Sequence, residues 1–63
     1  MTATKEYLKS MYEIVLEDNL AVEWSNDSDA FLDKEGDLWY NNHWAREEEL
    51  VKFVAWIKLF REE

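Results

Sequence analysis

Five acidic residues crowd the twelve-residue segment NDSDAFLDKEGD, which covers positions 26–37. Carboxylates at this density are typical of calcium sites, and an EF-hand loop requires aspartate at position 1, glycine at position 6 and glutamate at position 12. Placing Gly36, the only glycine of the chain, at position 6 puts Phe31 first and Asn42 last. Neither end of this alignment has the acidic residue that an EF-hand loop requires, so we predict no metal site and no cofactor. A looser divalent-cation site among the same aspartates is the alternative.

Catalytic chemistry is also poorly supported by the residue types present. Paired carboxylates act as general acid and base when a pocket desolvates one of them and raises its pKa. A chain of 63 residues has little volume for such a pocket. A nucleophile relay needs histidine beside serine or cysteine, but cysteine is absent and the one histidine, His43, stands between Asn42 and Trp44. The sequence therefore predicts a protein that is not an enzyme.

The negative charge is concentrated in one part of the chain. Eight acidic residues and Lys34 lie within positions 17–37, so this segment carries −7 of the net charge of −8. Such a surface attracts basic partners and speeds their encounter. It repels nucleic acid, because phosphates are bound chiefly by cations. We predict a basic protein surface as the partner and no direct binding of nucleic acid. The alternative is that the acidic segment is a solvated loop that only keeps an aromatic-rich protein soluble.

Two segments show the periodicity of amphipathic helices. In TKEYLKSMYEIVLED the apolar residues follow the i, i+3, i+4, i+7 spacing, and Asn19 suits the left-handed end of a helix. In HWAREEELVKFVAWIKLFREE, Asn42 is the predicted N-cap. The two stripes predicted to face the core are Leu8, Met11, Tyr12 and Val15 in the first helix, and Leu50, Phe53, Val54, Ile57 and Phe60 in the second.

The segments between the helices alternate in the manner of strands. LAVEW predicts one strand, and AFLDKEGDLWYN predicts two strands around a turn at Glu35 and Gly36. A two-residue turn pairs Leu32 with Trp39 and leaves apolar residues on both faces of the hairpin. Two helices then cover one face and leave the other for a partner. The alternative is a short helix over residues 27–35, which ends at Gly36 and gives an all-α three-helix domain.

The predicted architecture is a single α+β domain over residues 1–63, in the order α-β-β-β-α, with two helices packed on a short antiparallel sheet. No apolar run approaches the roughly 20 residues of a membrane span. The N-terminus also lacks the charged-then-apolar layout of a signal peptide. We therefore predict a cytoplasmic protein without a membrane partner.

The functional prediction is a small acidic protein that binds another protein. In general character the chain is similar to the short acidic proteins of phages and mobile elements, some of which mimic DNA to block nucleic-acid-processing proteins of the host. This similarity implies an inhibitor or modulator whose carboxylates stand where phosphates would. The predicted contact residues are Asp27, Asp29, Asp33, Glu35 and Asp37, with Trp39 as the aromatic anchor.

The second predicted helix supports an alternative. Val51, Ala55 and Leu59 form a second apolar stripe on another side of this helix, with Trp56 beside the first stripe. One small helix cannot bury all of these residues against a single neighbour, so either it is a central helix covered on two sides by its own fold or part of it contacts a partner. The alternative contact surface is therefore Val51, Trp56 and Leu59, either as an apolar docking adaptor or as the seam of a homodimer.

Overall fold

The computed structural model describes residues 2–27 and 29–61 of the chain. The elements follow in the order α1 (Thr2–Asp18), α2 (Leu20–Trp24), β1 (Ala30–Leu32), β2 (Leu38–Tyr40), β3 (His43–Trp44) and α3 (Glu47–Arg61). The three strands form one antiparallel sheet with β2 in the middle. The predicted α+β class is confirmed, and the all-α alternative is wrong because residues 30–32 pair with β2.

Helix α1 buries the stripe that its sequence predicts. Leu8 and Val15 are almost completely buried, and Met11 and Tyr12 pack against the core beside them. The helix ends where the chain enters the left-handed conformation at Asn19, whose φ is 57°. Asparagine tolerates this conformation better than most residues, so the prediction for Asn19 is confirmed.

The strand predicted at LAVEW is wrong, because this segment forms helix α2. Asn19 also begins the new helix, since its carbonyl accepts a hydrogen bond from the Glu23 N–H at 3.0 Å. A strand would place Leu20 and Val22 on one face. Instead Leu20 and Ala21 are buried while Val22 is 52% exposed, which is the pattern of a helix.

The β1–β2 hairpin forms as predicted, but its register is shifted by one residue. Phe31 pairs with Trp39 and Leu32 pairs with Leu38, so the predicted pairing of Leu32 with Trp39 is wrong. The loop is longer than two residues, and Gly36 takes its positive φ of 86° within it. Consequently Leu32 and Leu38 face the core, while Phe31 and Trp39 share the outer face of the sheet.

The third strand lies where the sequence predicted the start of a helix. Asn41 and Asn42 have φ values of 54° and 68°, the two positive values that a type I′ hairpin turn requires. The chain therefore turns back at these residues and places Trp44 opposite Trp39. Asn42 is a turn residue, not a helix N-cap. Helix α3 begins at Glu47, preceded by a cap in which the Glu49 Oε1 accepts a hydrogen bond from the Arg46 N–H at 2.7 Å.

Helix α3 closes the core from the side of α1 and α2. Leu50, Phe53 and Ile57 are buried, as predicted, while Phe60 at the end of the stripe remains 48% exposed. The Trp24 ring connects α3 to the sheet, because its centroid lies 5.0 Å from that of Phe53 in α3 and 4.6 Å from that of Tyr40 in β2. The predicted end of this helix, at positions 62 and 63, lies outside the described residues.

Candidate protein-binding surface

Asp33 organises the hairpin loop between β1 and β2. Its Oδ1 accepts hydrogen bonds from the backbone N–H groups of Glu35 at 3.0 Å and Asp37 at 2.9 Å. Two backbone bonds close the same loop: the Asp33 N–H donates to the Asp37 carbonyl, and the Gly36 N–H donates to the Asp33 carbonyl, both at 3.0 Å. Asp33 thus stabilises the loop in which it lies.

The loop is attached to helix α1 by an ion pair and by close backbone packing. Lys5 Nζ lies 2.5 Å from Asp37 Oδ1, and the hydrogen bond and charge of Asp37 raise the pKa of Lys5 above its ordinary value. Both side chains are nearly half exposed, so water screens this pair. Gly36 is buried against the α1 backbone. The loop is therefore fixed on the fold, with Glu35 exposed at its tip.

The structural role of Asp33 can be separated from its charge. We expect Asp33→Ala to lower the free energy of unfolding by about 1–2 kcal/mol, because two loop N–H groups lose their acceptor. Asp33→Asn removes the same charge but retains a carbonyl acceptor, so its loss should stay below about 1 kcal/mol. Urea unfolding followed by tryptophan fluorescence measures both. Equal losses in the two variants would show that the charge matters rather than the hydrogen bonds.

Asp27 and Asp29 lie at the opposite end of β1 from this loop. Both are exposed, and they line an open groove of about 500 Å³ together with the Asn41–Asn42 turn. Asp29 and Asp33 are separated by the length of the strand, roughly 13 Å at 3.3 Å per residue. The five predicted acidic residues therefore form two groups, one at each end of the hairpin, rather than a single cluster.

Trp39 lies between these two groups on the outer face of the sheet. Its ring centroid is 6.2 Å from that of Phe31 and 5.2 Å from that of Trp44, and the Phe31 and Trp44 centroids are 5.8 Å apart. We call these three residues the aromatic face. Phe31 is 49% exposed and Trp44 is 52% exposed, while Trp39 is half-buried. Helices α1 and α2 contact β1, and Leu32 and Leu38 face the core on the other side of the sheet. The core therefore does not cover the aromatic face.

Sequence reasoning found Trp39 but missed the other two members of the aromatic face. Phe31 was assigned to the opposite side of the hairpin because the predicted register was one residue out. Trp44 was assigned to a helix because Asn42 was interpreted as its cap. The usable signal was the Asn-Asn pair between Tyr40 and His43, since asparagine is favoured at both positive-φ positions of a type I′ turn.

A cavity of about 290 Å³ opens beside the aromatic face. Phe31 and Trp39 form its aromatic walls, Val22 and Ala30 contribute apolar surface, and Asp29 adds the one charged group of the lining. A smaller apolar cleft of about 180 Å³ shares Val22, Ala30 and Phe31 with this cavity and continues between α1, α2 and β1. Exposed apolar surface therefore extends from the aromatic face around the edge of the sheet.

The alternative surface on helix α3 is also open. Leu59 is 79% exposed and Val51 is 47% exposed, at the two ends of the stripe predicted to lie outside the core. Trp56 is half-buried and stacked between two phenylalanine rings, with centroid distances of 6.2 Å to Phe53 and 5.5 Å to Phe60. Trp56 therefore supports the packing of the helix, while Leu59 and Val51 present the apolar surface.

Within residues 2–27 and 29–61, no three side chains among His, Cys, Asp and Glu are grouped so that they could hold a metal ion. The His43 Nδ1–H donates to the Trp44 carbonyl at 2.7 Å, and Nε2 lies 3.8 Å from Glu49. A groove of about 600 Å³ is lined by acids and lysines, which include the Lys5–Asp37 pair, and by the apolar residues Ala45 and Leu50.

Comparison with known proteins gives no match: no protein-family model fits the sequence, and no curated protein and no solved structure is significantly similar to it. In the part of the chain that the structure describes, no helix has the length and apolar character needed to cross a membrane.

Proposed function

We propose that this chain is a non-catalytic protein-binding domain that attaches to a basic surface of a nucleic-acid-processing protein and inhibits or modulates it. The observation that carries the proposal is the aromatic face: Phe31, Trp39 and Trp44 packed together on the uncovered side of the sheet. A cytoplasmic location is part of the proposal, because such partners work there. So is a phage or mobile-element role, in which the chain acts on a host protein.

The aromatic face has the composition of a binding interface. Tryptophan and phenylalanine are enriched in protein interfaces, and a few buried tryptophan, tyrosine or arginine residues dominate binding energies. A contiguous exposed apolar patch on a small domain is typical of an interaction site. In this chain the patch is built by strand pairing rather than by chance exposure, since Trp39 and Trp44 are direct partners in the β2–β3 ladder.

The charge around the aromatic face selects the kind of partner. Asp27 and Asp29 lie at one end of the hairpin and the loop of Asp33, Glu35 and Asp37 lies at the other, with Trp39 between them. A partner that covers the aromatic face therefore meets carboxylates on two sides. A basic surface is attracted by this arrangement, whereas an acidic or neutral one loses solvation without compensation.

The loop carboxylates are held by the fold, which supports mimicry of phosphates. Asp33 is fixed by its hydrogen bonds to the loop, and Asp37 by its ion pair with Lys5. A surface that presents charge in one conformation loses less entropy on binding than a flexible acidic segment does. Because the two acidic groups lie on either side of the aromatic face, they resemble two short charged edges around an apolar centre. They do not form a continuous row like the phosphates of a nucleic-acid strand.

The proposal is tested by capture of partners from cells on the immobilised chain. The matched control bait is Trp39→Ala/Trp44→Ala, which keeps the net charge and so retains every protein held by charge alone. We expect a basic nucleic-acid-binding protein on the wild-type bait that is missing from the control and that elutes as salt rises from about 50 to about 500 mM. The wild-type chain should also alter that protein's binding to nucleic acid. Identical proteins on both baits would contradict the proposal.

The exposure of Leu59 supports a second candidate, in which α3 is an apolar docking face or the seam of a homodimer. Within Glu47–Arg61 three glutamates are balanced by Lys52, Lys58 and Arg61, so this helix carries no net charge. Under this alternative, capture survives Trp39→Ala/Trp44→Ala, resists salt and is lost in Leu59→Glu. Self-association would appear as a concentration-dependent mass in analytical ultracentrifugation.

A further inference from the structure

The cavity beside the aromatic face combines aromatic walls, a small volume and one carboxylate. Its two aromatic walls, Phe31 and Trp39, have ring planes inclined at only 21°. The rest of its apolar lining offers little surface. Ala30 is buried, so most of this surface comes from the half-exposed side chain of Val22. The volume of about 290 Å³ is at the lower limit of small-molecule pockets, which run from roughly 300 to 1,000 Å³. It suits one inserted side chain.

Asp29 supplies the charge of this cavity and lies there for a reason of strand geometry. Side chains alternate along an extended chain, so the residue two positions before Phe31 lies on the same side of β1. Asp29 is exposed and lines the cavity with Phe31 and Trp39. Asp27, two residues earlier, lines the neighbouring groove but is not part of this lining. The cavity therefore joins a carboxylate to aromatic surface.

A long cationic side chain fits this lining. Its methylene stem can cover the exposed Val22 side chain while its charged end reaches the Asp29 carboxylate. Between the two basic residues, arginine is the better match, because its planar guanidinium stacks on aromatic rings and forms two parallel hydrogen bonds to a carboxylate. A lysine ammonium can make the charge contact but cannot stack in the same way.

We propose that this cavity receives an arginine side chain of the basic partner. The assignment depends on the proposed function, since it names the residue type by which that partner is held. The stem lies against the apolar lining, the guanidinium stacks beside Trp39, and Asp29 accepts its N–H groups. The aromatic face thus acts as a recognition site for arginine in addition to its role as an apolar contact.

The test uses the full chain and three small probes: the acetylated amides of arginine, citrulline and lysine. Citrulline has nearly the shape of arginine without its charge. Two-dimensional NMR titration at low salt follows the Trp39 indole N–H and the backbone N–H groups of residues 29–31. We expect the arginine probe to shift these signals and to bind at least about threefold more tightly than the other two, which corresponds to an exposed stacking contact.

Two variants with the same change of charge localise the effect. Asp29→Asn should weaken the arginine probe about threefold to fivefold, the upper part of the range for an exposed ion pair, while Asp27→Asn should change its affinity by less than about twofold. Equal losses in both variants, or equal binding of the three probes, would overturn the proposal. The proposed function has a separate readout: partner capture that is lost in Trp39→Ala/Trp44→Ala supports it even when the arginine site fails.

Discussion

Gly36→Ala is expected to remove a large part of the stability of the fold. A Cβ atom at this position would lie 2.5 Å from the carbonyl oxygen of Lys5 and 3.3 Å from the backbone nitrogen of Lys9, both in helix α1. The residue also has a φ of 86°, which costs an L-amino acid about 1–2 kcal/mol. The helix backbone cannot yield as a flexible side chain could, so the loop must move away and release Lys5 from Asp37.

We expect a total loss of about 2–4 kcal/mol, since the overlap with a rigid backbone adds to the conformational cost. A core of this size supplies only about 3–5 kcal/mol, so the loss is a large part of the stability. Urea unfolding, with circular dichroism as a second probe, measures it.

The adjacent residue provides the control. Glu35→Ala changes an exposed side chain in the same loop and should cost less than about 0.5 kcal/mol. Gly36→Asn tolerates the positive φ better than alanine but still adds a Cβ atom, so it should remain destabilised by the contact with Lys5. If Gly36→Ala and Glu35→Ala unfold at the same urea concentration, the packing of the loop on α1 is contradicted.

The same glycine explains why the hairpin was predicted and its register was not. A two-residue type I′ turn at Glu35 and Gly36 would need positive φ at both residues, which a glutamate resists. The observed loop needs positive φ at Gly36 alone and satisfies its N–H groups with the Asp33 side chain. The turn residue was therefore readable from the sequence, but the loop length depended on a side-chain hydrogen bond that hydrophobic patterns do not report.

The two long helices were predictable because their apolar spacing continues over several turns. Leu8 to Val15 and Leu50 to Ile57 each define one face, and burial follows that face closely. Short segments gave no such signal. LAVEW has too few residues to separate alternation from a single helical turn. Asn19 decides between the two, because its left-handed conformation ends α1 and begins a new helix at Leu20.

The candidate site was predictable in part for a related reason. Charge is read from composition, so the acidic segment was found, but its division into two groups depends on where β1 begins and ends. The aromatic face depends on register, because a shift of one residue exchanges the two faces of a strand. With Phe31 and Trp44 added, the predicted anchor Trp39 becomes the centre of a three-residue surface instead of an isolated side chain.

Trp39→Ala is expected to weaken partner binding about 30-fold or more, the loss of roughly 2 kcal/mol that is typical of a central aromatic anchor. The variant keeps the charge of the protein. Its dissociation constant, measured by calorimetry or surface plasmon resonance with the captured partner, should therefore rise by the same factor at every salt concentration. Circular dichroism must show that the variant is folded, because the ring also packs on Phe31 and Trp44.

Removal of acidic charges should instead give a loss of affinity that depends on the salt concentration. Asp27→Asn/Asp29→Asn should weaken binding at low salt and converge with the wild type at high salt, where exposed charges are screened. Leu59→Ala is the control for helix α3, since it removes a side chain that is 79% exposed and leaves the core intact. If the dissociation constant is unchanged by salt and by Trp39→Ala but rises in Leu59→Ala, the partner binds to α3 and not to the aromatic face. The proposal instead expects parallel plots of the dissociation constant against salt concentration for the wild type and Trp39→Ala. Parallel plots mean that the aromatic face supplies affinity at every salt concentration, while the acidic groups select a basic partner.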